Sequence, residues 1–291
     1  MNEHLTLIRD FLLRDDRAGL TEFNIRIGTL GVTVCSAGGD LFDQAVKKYE
    51  EFLYPEKFRA EVVIHDLDKV KEADAVKQSF EEYRDLVTYA EGSVFYVYRW
   101  DFYGIIDLQQ LSGKFIYFYG ETFMSYESII RIFYSILTVV NQGFLMHSSS
   151  LIHKGKGYLF FGVSGSGKST VVKLSESDTC LSDELSMIIK VEGNYIVSGT
   201  PFHGELPIYT NRQAELRNLF ILKKSPDDFF RKLGDVEAYT SIMRNILFFS
   251  DDWGLKQLIF NTTIDLVKHT GVYEMNFTKT NKFWEIIDHG L

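Results

Sequence analysis

Hydrophobic and polar positions alternate with a period of two through the first third of the chain. Phe23, Ile25 and Ile27 fall on one side of an extended segment, with Asn24 and Arg26 on the other, and residues 30–34 can return beside it after the Gly28-Thr29 turn. Residues 40–54 switch to helical spacing, with Leu41, Phe42, Ala45, Val46, Tyr49 and Phe52 on one face. Further strands are predicted at 61–64, 86–89, 93–99, 102–108 and 114–119, some parted by short turns such as Glu91-Gly92 and Ser112-Gly113. So many strands with few helices between them predict an antiparallel meander.

The pattern changes near Ser125. Ile129, Ile132, Phe133, Ile136, Leu137 and Val140 predict an amphipathic helix over 126–142, with Ser125 as its N-cap and Glu127 in its first turn. Two apolar runs follow Gly143, at 145–152 and 158–161. The change divides the chain into a β-rich N-terminal domain, 1–124, and a second domain, 125–291. In the second, 225–291 reads as helices with one strand near 271–277. Asp235 and Asp251 are candidate caps, and Asp227-Asp228 a helix-start pair. The apolar run 129–140 is shorter than a membrane span and contains Arg131.

Composition narrows the classes. The chain has 31 Lys and Arg against 40 Asp and Glu, a net charge of −9, which argues against binding nucleic acid through clustered cations. With 45% hydrophobic and 24% charged residues it has a globular rather than a disordered composition, and 24 Phe and 16 Tyr point to strands and a large core. Cys35 and Cys180 are too few for a disulfide framework or a four-cysteine zinc site. The segment MNEHLTLIRD lacks the basic start and apolar run of a secretory signal, so a cytoplasmic location without membrane association is expected.

One segment carries chemistry. Gly162-Val-Ser-Gly-Ser-Gly167-Lys168-Ser169 fits G-x-x-x-x-G-K-[ST], with a predicted strand before it and a helical stretch, 169–174, after it. Glycines let the backbone curl until its N–H groups point at phosphate oxygens. A lysine ammonium can then reach the β- and γ-phosphates, and a following hydroxyl can ligate Mg²⁺. Gly162, Ser164, Gly165, Ser166, Gly167, Lys168, Ser169 and Thr170 are therefore the predicted nucleotide-binding residues. ATP and Mg²⁺ are the expected ligands. The next acidic pair, Asp183-Glu184, comes only fifteen residues after Lys168 and precedes an apolar run, 185–191.

Together these segments resemble the C-terminal kinase domain of HPr kinase/phosphorylase and its relatives, a group sharing a core with phosphoenolpyruvate carboxykinase. The resemblance rests on Leu145-Met-His147-Ser-Ser-Ser150, on 157–170, and on Leu181-Ser-Asp183-Glu184. It extends through Gly199-Thr-Pro201-Phe-His-Gly204-Glu205 and the strand and helix at 219–222 and 237–246. Residues 100–107, from Trp100-Asp101 to Asp107, also look like the front half of the related kinases. The resemblance implies an α/β (α+β) phosphate-loop core; the antiparallel N-terminal domain before it either presents the acceptor or is a purely structural sheet. The resemblance also implies a Mg²⁺-dependent kinase that moves the γ-phosphate of ATP to a Ser/Thr-type hydroxyl of a protein, peptide or small molecule.

By the same resemblance, Lys168 holds phosphate, Ser169 binds magnesium, Asp183 is the general base and His147 the histidine of the strand before the loop. Glu184 stands where the family has a second Asp, and Glu205 matches a later magnesium-linked glutamate. The bifunctional enzymes' dephosphorylation signature is absent, and residues 1–124 do not resemble their N-terminal domain. Related kinases in peptide-modification clusters act on a serine of a precursor peptide, which keeps such an acceptor open. A homo-oligomer is compatible with the family.

On the residues alone, alternatives stay open. Asp183 can contact Mg²⁺ instead of taking a proton, and Glu184 can be a metal ligand or a solvated turn carboxylate. His147 can tune the base or simply pack, and His203 is a further candidate. Arg212, Arg217 and Arg244 are candidate clamps on the γ-phosphate. The competing function is a nucleotide-binding regulatory ATPase or GTPase without a phosphoryl acceptor.

Overall fold

A computed structural model describes residues 3–14, 17–67, 80, 83–118, 123–175, 178–204, 206 and 210–290. The chain divides into two units, Met1–Leu137 with Phe249–Trp253, and Thr138–Phe248 with Gly254–Leu291. Each is α/β and each is built on a mixed sheet.

The first unit begins with α1 (Glu3–Leu13), followed by β1 (Leu20–Ile27), β2 (Leu30–Ala37) and α2 (Asp40–Lys48). Then come β3 (Glu61–Asp66), β4 (Val87–Glu91), β5 (Val94–Arg99), β6 (Phe102–Asp107), β7 (Ser112–Tyr117) and α3 (Phe123–Val140). Its seven strands lie in the order β1-β2-β3-β7-β6-β5-β4. The predicted meander holds for β4 to β7, but β2 pairs parallel with β3 and β3 parallel with β7. The sheet is therefore mixed, not antiparallel. The helical residues between β2 and β3 carry the chain back across the sheet, and such a crossover makes neighbouring strands parallel.

Helix α3 packs through Tyr126, whose hydroxyl lies 3.0 Å from Ser36 Oγ, and through Tyr134, whose hydroxyl donates to Ile25 O. Ser125 is not the N-cap of this helix. It sits inside α3, buried, and donates to Asp101 Oδ2 at 2.6 Å, while Arg99 grips both oxygens of the same carboxylate. Asp107 closes a turn by accepting from the Gln109 and Gln110 N–H groups. The helical pattern over 40–54 splits, α2 ending at Lys48 and a single 3₁₀ turn covering Glu50–Phe52. Helix α1 was not foreseen in the pattern. Its Ile8 and Leu12 join Tyr96, Tyr98, Tyr103 and Phe118 in one buried cluster. At 18 residues α3 is long and apolar enough to cross a bilayer, although 67% of it is buried in the fold as a core helix is.

The second unit carries β8 (Gly143–His153), β9 (Lys156–Phe161), α4 (Lys168–Leu174), β10 (Thr179–Ser182), β11 (Leu185–Val191), β12 (Asn194–Ser198) and β13 (Gln213–Lys224). It continues with β14 (Phe229–Lys232), α5 (Asp235–Met243), β15 (Ile246–Leu247), α6 (Trp253–His269), β16 (Gly271–Phe277) and α7 (Phe283–Gly290). Strand β8 pairs β11 through its first half and β9 through its second. Because β11 pairs β12, β12 pairs β13 and β13 pairs β9, the ladders close into a ring. Met146, Leu159, Ile188, Val197, Leu216 and Leu219 contribute to its buried cluster. A second cluster joins Phe160, Phe220 and Met275 of the strands to Val171 and Val172 of α4 and Phe283 and Trp284 of α7.

Asp227-Asp228 starts no helix. Strand β14 follows, and the Asp228 carboxylate accepts from the N–H and hydroxyl of Thr278. Asp235 is the first residue of α5, but Gly234 occupies the cap position without any side-chain cap.

Removing the Asp101 carboxylate leaves Arg99 and the buried Ser125 hydroxyl without their shared acceptor. Asp101→Ala is expected to lower unfolding stability by about 2–3 kcal/mol, read from denaturant unfolding with a probe in the first unit. A change within 0.5 kcal/mol, the range of ordinary surface substitutions, contradicts the role given to this carboxylate.

Candidate functional site

Phe161, the last residue of β9, lies opposite Ser148 of β8. The chain then leaves the sheet through 162–167 and resumes regular structure at Lys168. Gly162, Gly165 and Gly167 take φ of 148°, 73° and 116°, the left-handed half of the map that side chains resist. A Cβ on Gly167 would stand 2.7 Å from the Phe277 ring, and one on Gly162 would stand 3.0 Å from Ser166 Oγ. Inside the loop the Ser166 N–H donates to Val163 O, and Lys168 Nζ donates to Gly162 O at 3.2 Å. Ser166 is 6% exposed and its hydroxyl has no hydrogen-bond partner among the described residues. Ser164 is exposed, while Ser169 and Thr170 are half-buried in the first turn of α4. Ser149 of β8 donates to Lys168 O, fixing the start of α4 to the sheet.

The acidic pair lies across the same strand. Strand β10 pairs β8 antiparallel, as β9 does, so β9 and β10 run in one direction on opposite flanks of β8. The Ser148 N–H donates to Glu184 O. Phe161 and Glu184 therefore flank one residue of β8, two strand spacings or roughly 10 Å apart. Ser182 bends the chain between β10 and β11, its buried hydroxyl donating to Leu185 O and accepting from the Glu184 and Leu185 N–H groups.

Asp183 is 3% exposed. Its Oδ1 accepts from the Gly204 N–H and its Oδ2 from the Leu206 N–H, each at 2.9 Å. Two amides from one loop fix the orientation of the carboxylate, and each oxygen keeps a further lone pair. Glu184 turns outward, its Oε1 3.5 Å from His147 Nδ1, and both side chains are 42% exposed. A Cβ on Gly204 would come within 3.1 Å of Asp183 Oδ2 and 3.2 Å of Glu184, so a glycine lets this backbone close over both acids. Burial pushes the Cys180 thiol up to about 12, with the Asp183 charge adding to the effect.

Of the residues singled out in the sequence, the structure gathers Asp183, Glu184 and His147 at one bend, with residues 162–170 across β8 from it. Glu205 lies outside the described residues. His203 engages the Gly204 carbonyl, and Arg212 donates to Thr179 Oγ1. Arg217 lies near the amino end of β13, away from the loop, which meets that strand at Leu222. Among the described residues no group of three or more His, Cys, Asp or Glu could hold a metal by itself. Sequence reasoning did not single out Ser149, Ser182 or Gly204 as working parts. The run of three serines within an apolar strand was the available signal.

A sequence profile described as "SynChlorMet cassette protein ScmC" matches residues 120–291. The chain belongs to the ScmC family. The matched region contains the loop, the acidic pair and the whole ring of strands. Among solved structures, the chain is similar to the HPr(Ser) kinase/phosphatase from Coxiella burnetii, at 12% identity and a TM-score of 0.29, covering 49% of this chain and 90% of that one. That is a distant likeness, and nothing of that protein's chemistry carries over at this level. No curated protein matches the chain.

A thiol at about 12 is almost wholly protonated at pH 8. Cys180 is therefore expected to alkylate with iodoacetamide roughly a thousandfold more slowly than an unperturbed cysteine, measured by mass spectrometry of the native chain. Labelling at the rate of a free thiol would show that the Cys180 thiol is not shielded by burial in this way.

Proposed function

We propose that this protein is an ATP- and Mg²⁺-dependent kinase that transfers the γ-phosphate to a hydroxyl group, a Ser or Thr of a protein or peptide or an alcohol of a small molecule. The observation that carries the reading is the pairing of β8. Its Ser148 has the strand end leading into the glycine loop on one side and the acidic bend on the other. A phosphate donor held by the loop and an acceptor held at the bend would meet at one sheet edge.

The residues of the loop suit a triphosphate. Lys168 Nζ rests on a neutral carbonyl, Gly162 O, which an anionic oxygen outcompetes. The Ser166 hydroxyl is buried without a partner, a cost of about 1–3 kcal/mol that an added acceptor relieves. The Gly167 position admits no side chain beside Phe277. Magnesium bound with the nucleotide would neutralise phosphate charge, and Ser169, Glu184 and Glu205 are the residues proposed to reach it. Transfer breaks the bond from the γ-phosphorus to the β–γ bridging oxygen and forms one from the acceptor oxygen. Asp183 takes the hydroxyl proton, and ADP leaves. The fixed carboxylate needs no reorientation to do so. His147, beside Glu184, is proposed to donate to a phosphate oxygen or to tune the acids.

The test uses radiolabelled ATP with a panel of serine- and threonine-containing peptides, and calorimetry of MgATP binding. Lys168→Ala is expected to weaken MgATP at least tenfold. Asp183→Asn should keep binding within a few-fold and lose at least 100-fold in transfer, with its melting temperature recorded because Asn offers one acceptor fewer to the 204–206 amides. Unchanged MgATP affinity in Lys168→Ala removes the phosphate role. Release of free phosphate with no transfer to any hydroxyl moves the reading to a nucleotide-hydrolysing regulator.

A further inference from the structure

Strands β9, β13 and β16 run parallel, and the loop at 162–167 lies at their carboxyl ends, where Gly162 approaches Leu222 O. The amino end of β16, beside the middle of β13, opens on something else. A cavity of about 530 Å³ lies there, roofed by the start of α5 and the end of α6. Asn218 on its wall is four residues before Leu222, roughly 13 Å along the strand, so the cavity is separate from the loop.

Its lining is cationic in a chain of net charge −9. Arg217 of β13, Lys232 at the end of β14 and Lys268 of α6 contribute three permanent positive charges, with His269 beside them and Asp235 as the one carboxylate. Among the described residues Arg217, Lys232 and Lys268 form no ion pair. Two carbonyls near the end of α6 are occupied from within. Leu266 O accepts from the N–H and hydroxyl of Thr270, and Asp265 O from His269 Nδ1.

A second observation points to a ligand. Asn218 lines the cavity and is 5% exposed, and its Nδ2, closed off from solvent, has no hydrogen-bond partner among the described residues. Gly271 faces it across the β13–β16 pair, and a Cβ there would stand 2.5 Å from Asn218 Oδ1. The missing side chain is what leaves room for the Asn218 amide. A buried donor without an acceptor is rare in a folded chain and costly unless something fills the role.

We infer that this cavity binds a small organic polyanion, a phosphorylated or polycarboxylate metabolite, with the Asn218 amide turning to donate at its floor and Arg217, Lys232 and Lys268 neutralising its charge. The volume lies within the range of small-molecule sites. Lying at the opposite strand ends from the glycine loop, the cavity is suited to a regulator rather than to a reactant. This inference does not depend on the kinase reading.

Calorimetric titration of the full chain at 150 mM salt tests it, with pyrophosphate and citrate as separate probes and Lys168→Ala as the starting protein, so that the loop contributes as little as it can. Saturable binding of at least one probe is expected, weakened at least tenfold by the exposed pair Arg217→Glu with Lys232→Glu and likewise by Asn218→Leu. Pyrophosphate alone binding assigns a phosphorylated ligand, and citrate alone a polycarboxylate. Binding of neither probe, or affinities within twofold after charge reversal, overturns the proposal. Wild-type affinity in a folded Asn218→Leu chain removes the floor donor from it.

Discussion

Strand β8 is hydrogen-bonded along both edges, and that double pairing is the constraint on which the second unit depends. Its first half lies between β11 and β15, its second between β9 and β10. A strand held on two sides can put unrelated segments of sequence at fixed separation. Fifteen residues, with helix α4 among them, part Lys168 from Asp183, yet both are referred to adjacent residues of β8. Ser149 binds the Lys168 carbonyl and Ser148 the Glu184 carbonyl. Backbone geometry sets the distance between loop and acid, so the side chains can be chosen for chemistry.

The loop and the acids are held by different means. In the loop, glycines at positive φ and a lysine folded onto its own carbonyl leave one buried hydroxyl unpaired, an arrangement left incomplete by the polypeptide. At the bend the opposite holds, since Asp183 has both oxygens bonded to amides and Ser182 fixes the turn through three bonds. Under the proposed function, transfer would draw on both conditions, a receptive cradle and a carboxylate that does not move.

Much of this was legible in the sequence, and the parts that were not share a cause. Strand β16 and the strand–loop–helix at 156–174 follow from local periodicity and glycine placement, which need no tertiary information. The antiparallel reading of the first sheet failed because strand direction depends on where the chain re-enters, and alternation is the same in parallel and antiparallel strands. Ser125 looked like a cap because capping residues and buried hydrogen-bonding residues are the same types. Only the fold shows that its partner is Asp101, itself held by Arg99. Asp227-Asp228 misled likewise, since acids open helices and also pin distant turns. That the Asn218 side chain has room depends on Gly271, fifty-three residues away, and no local pattern carries it.

The closed circuit β8–β11–β12–β13–β9 has a consequence for how this protein can vary. In an open sheet, one added residue in a strand slides its ladder toward the free edge, and the strands beyond follow. Here any such slip travels around the circuit and returns to β8, where two registers must agree at once. A length change inside these five strands must therefore be absorbed where it arises, as the irregular register between Leu216 and Asn218 of β13 does, or be confined to the connecting turns.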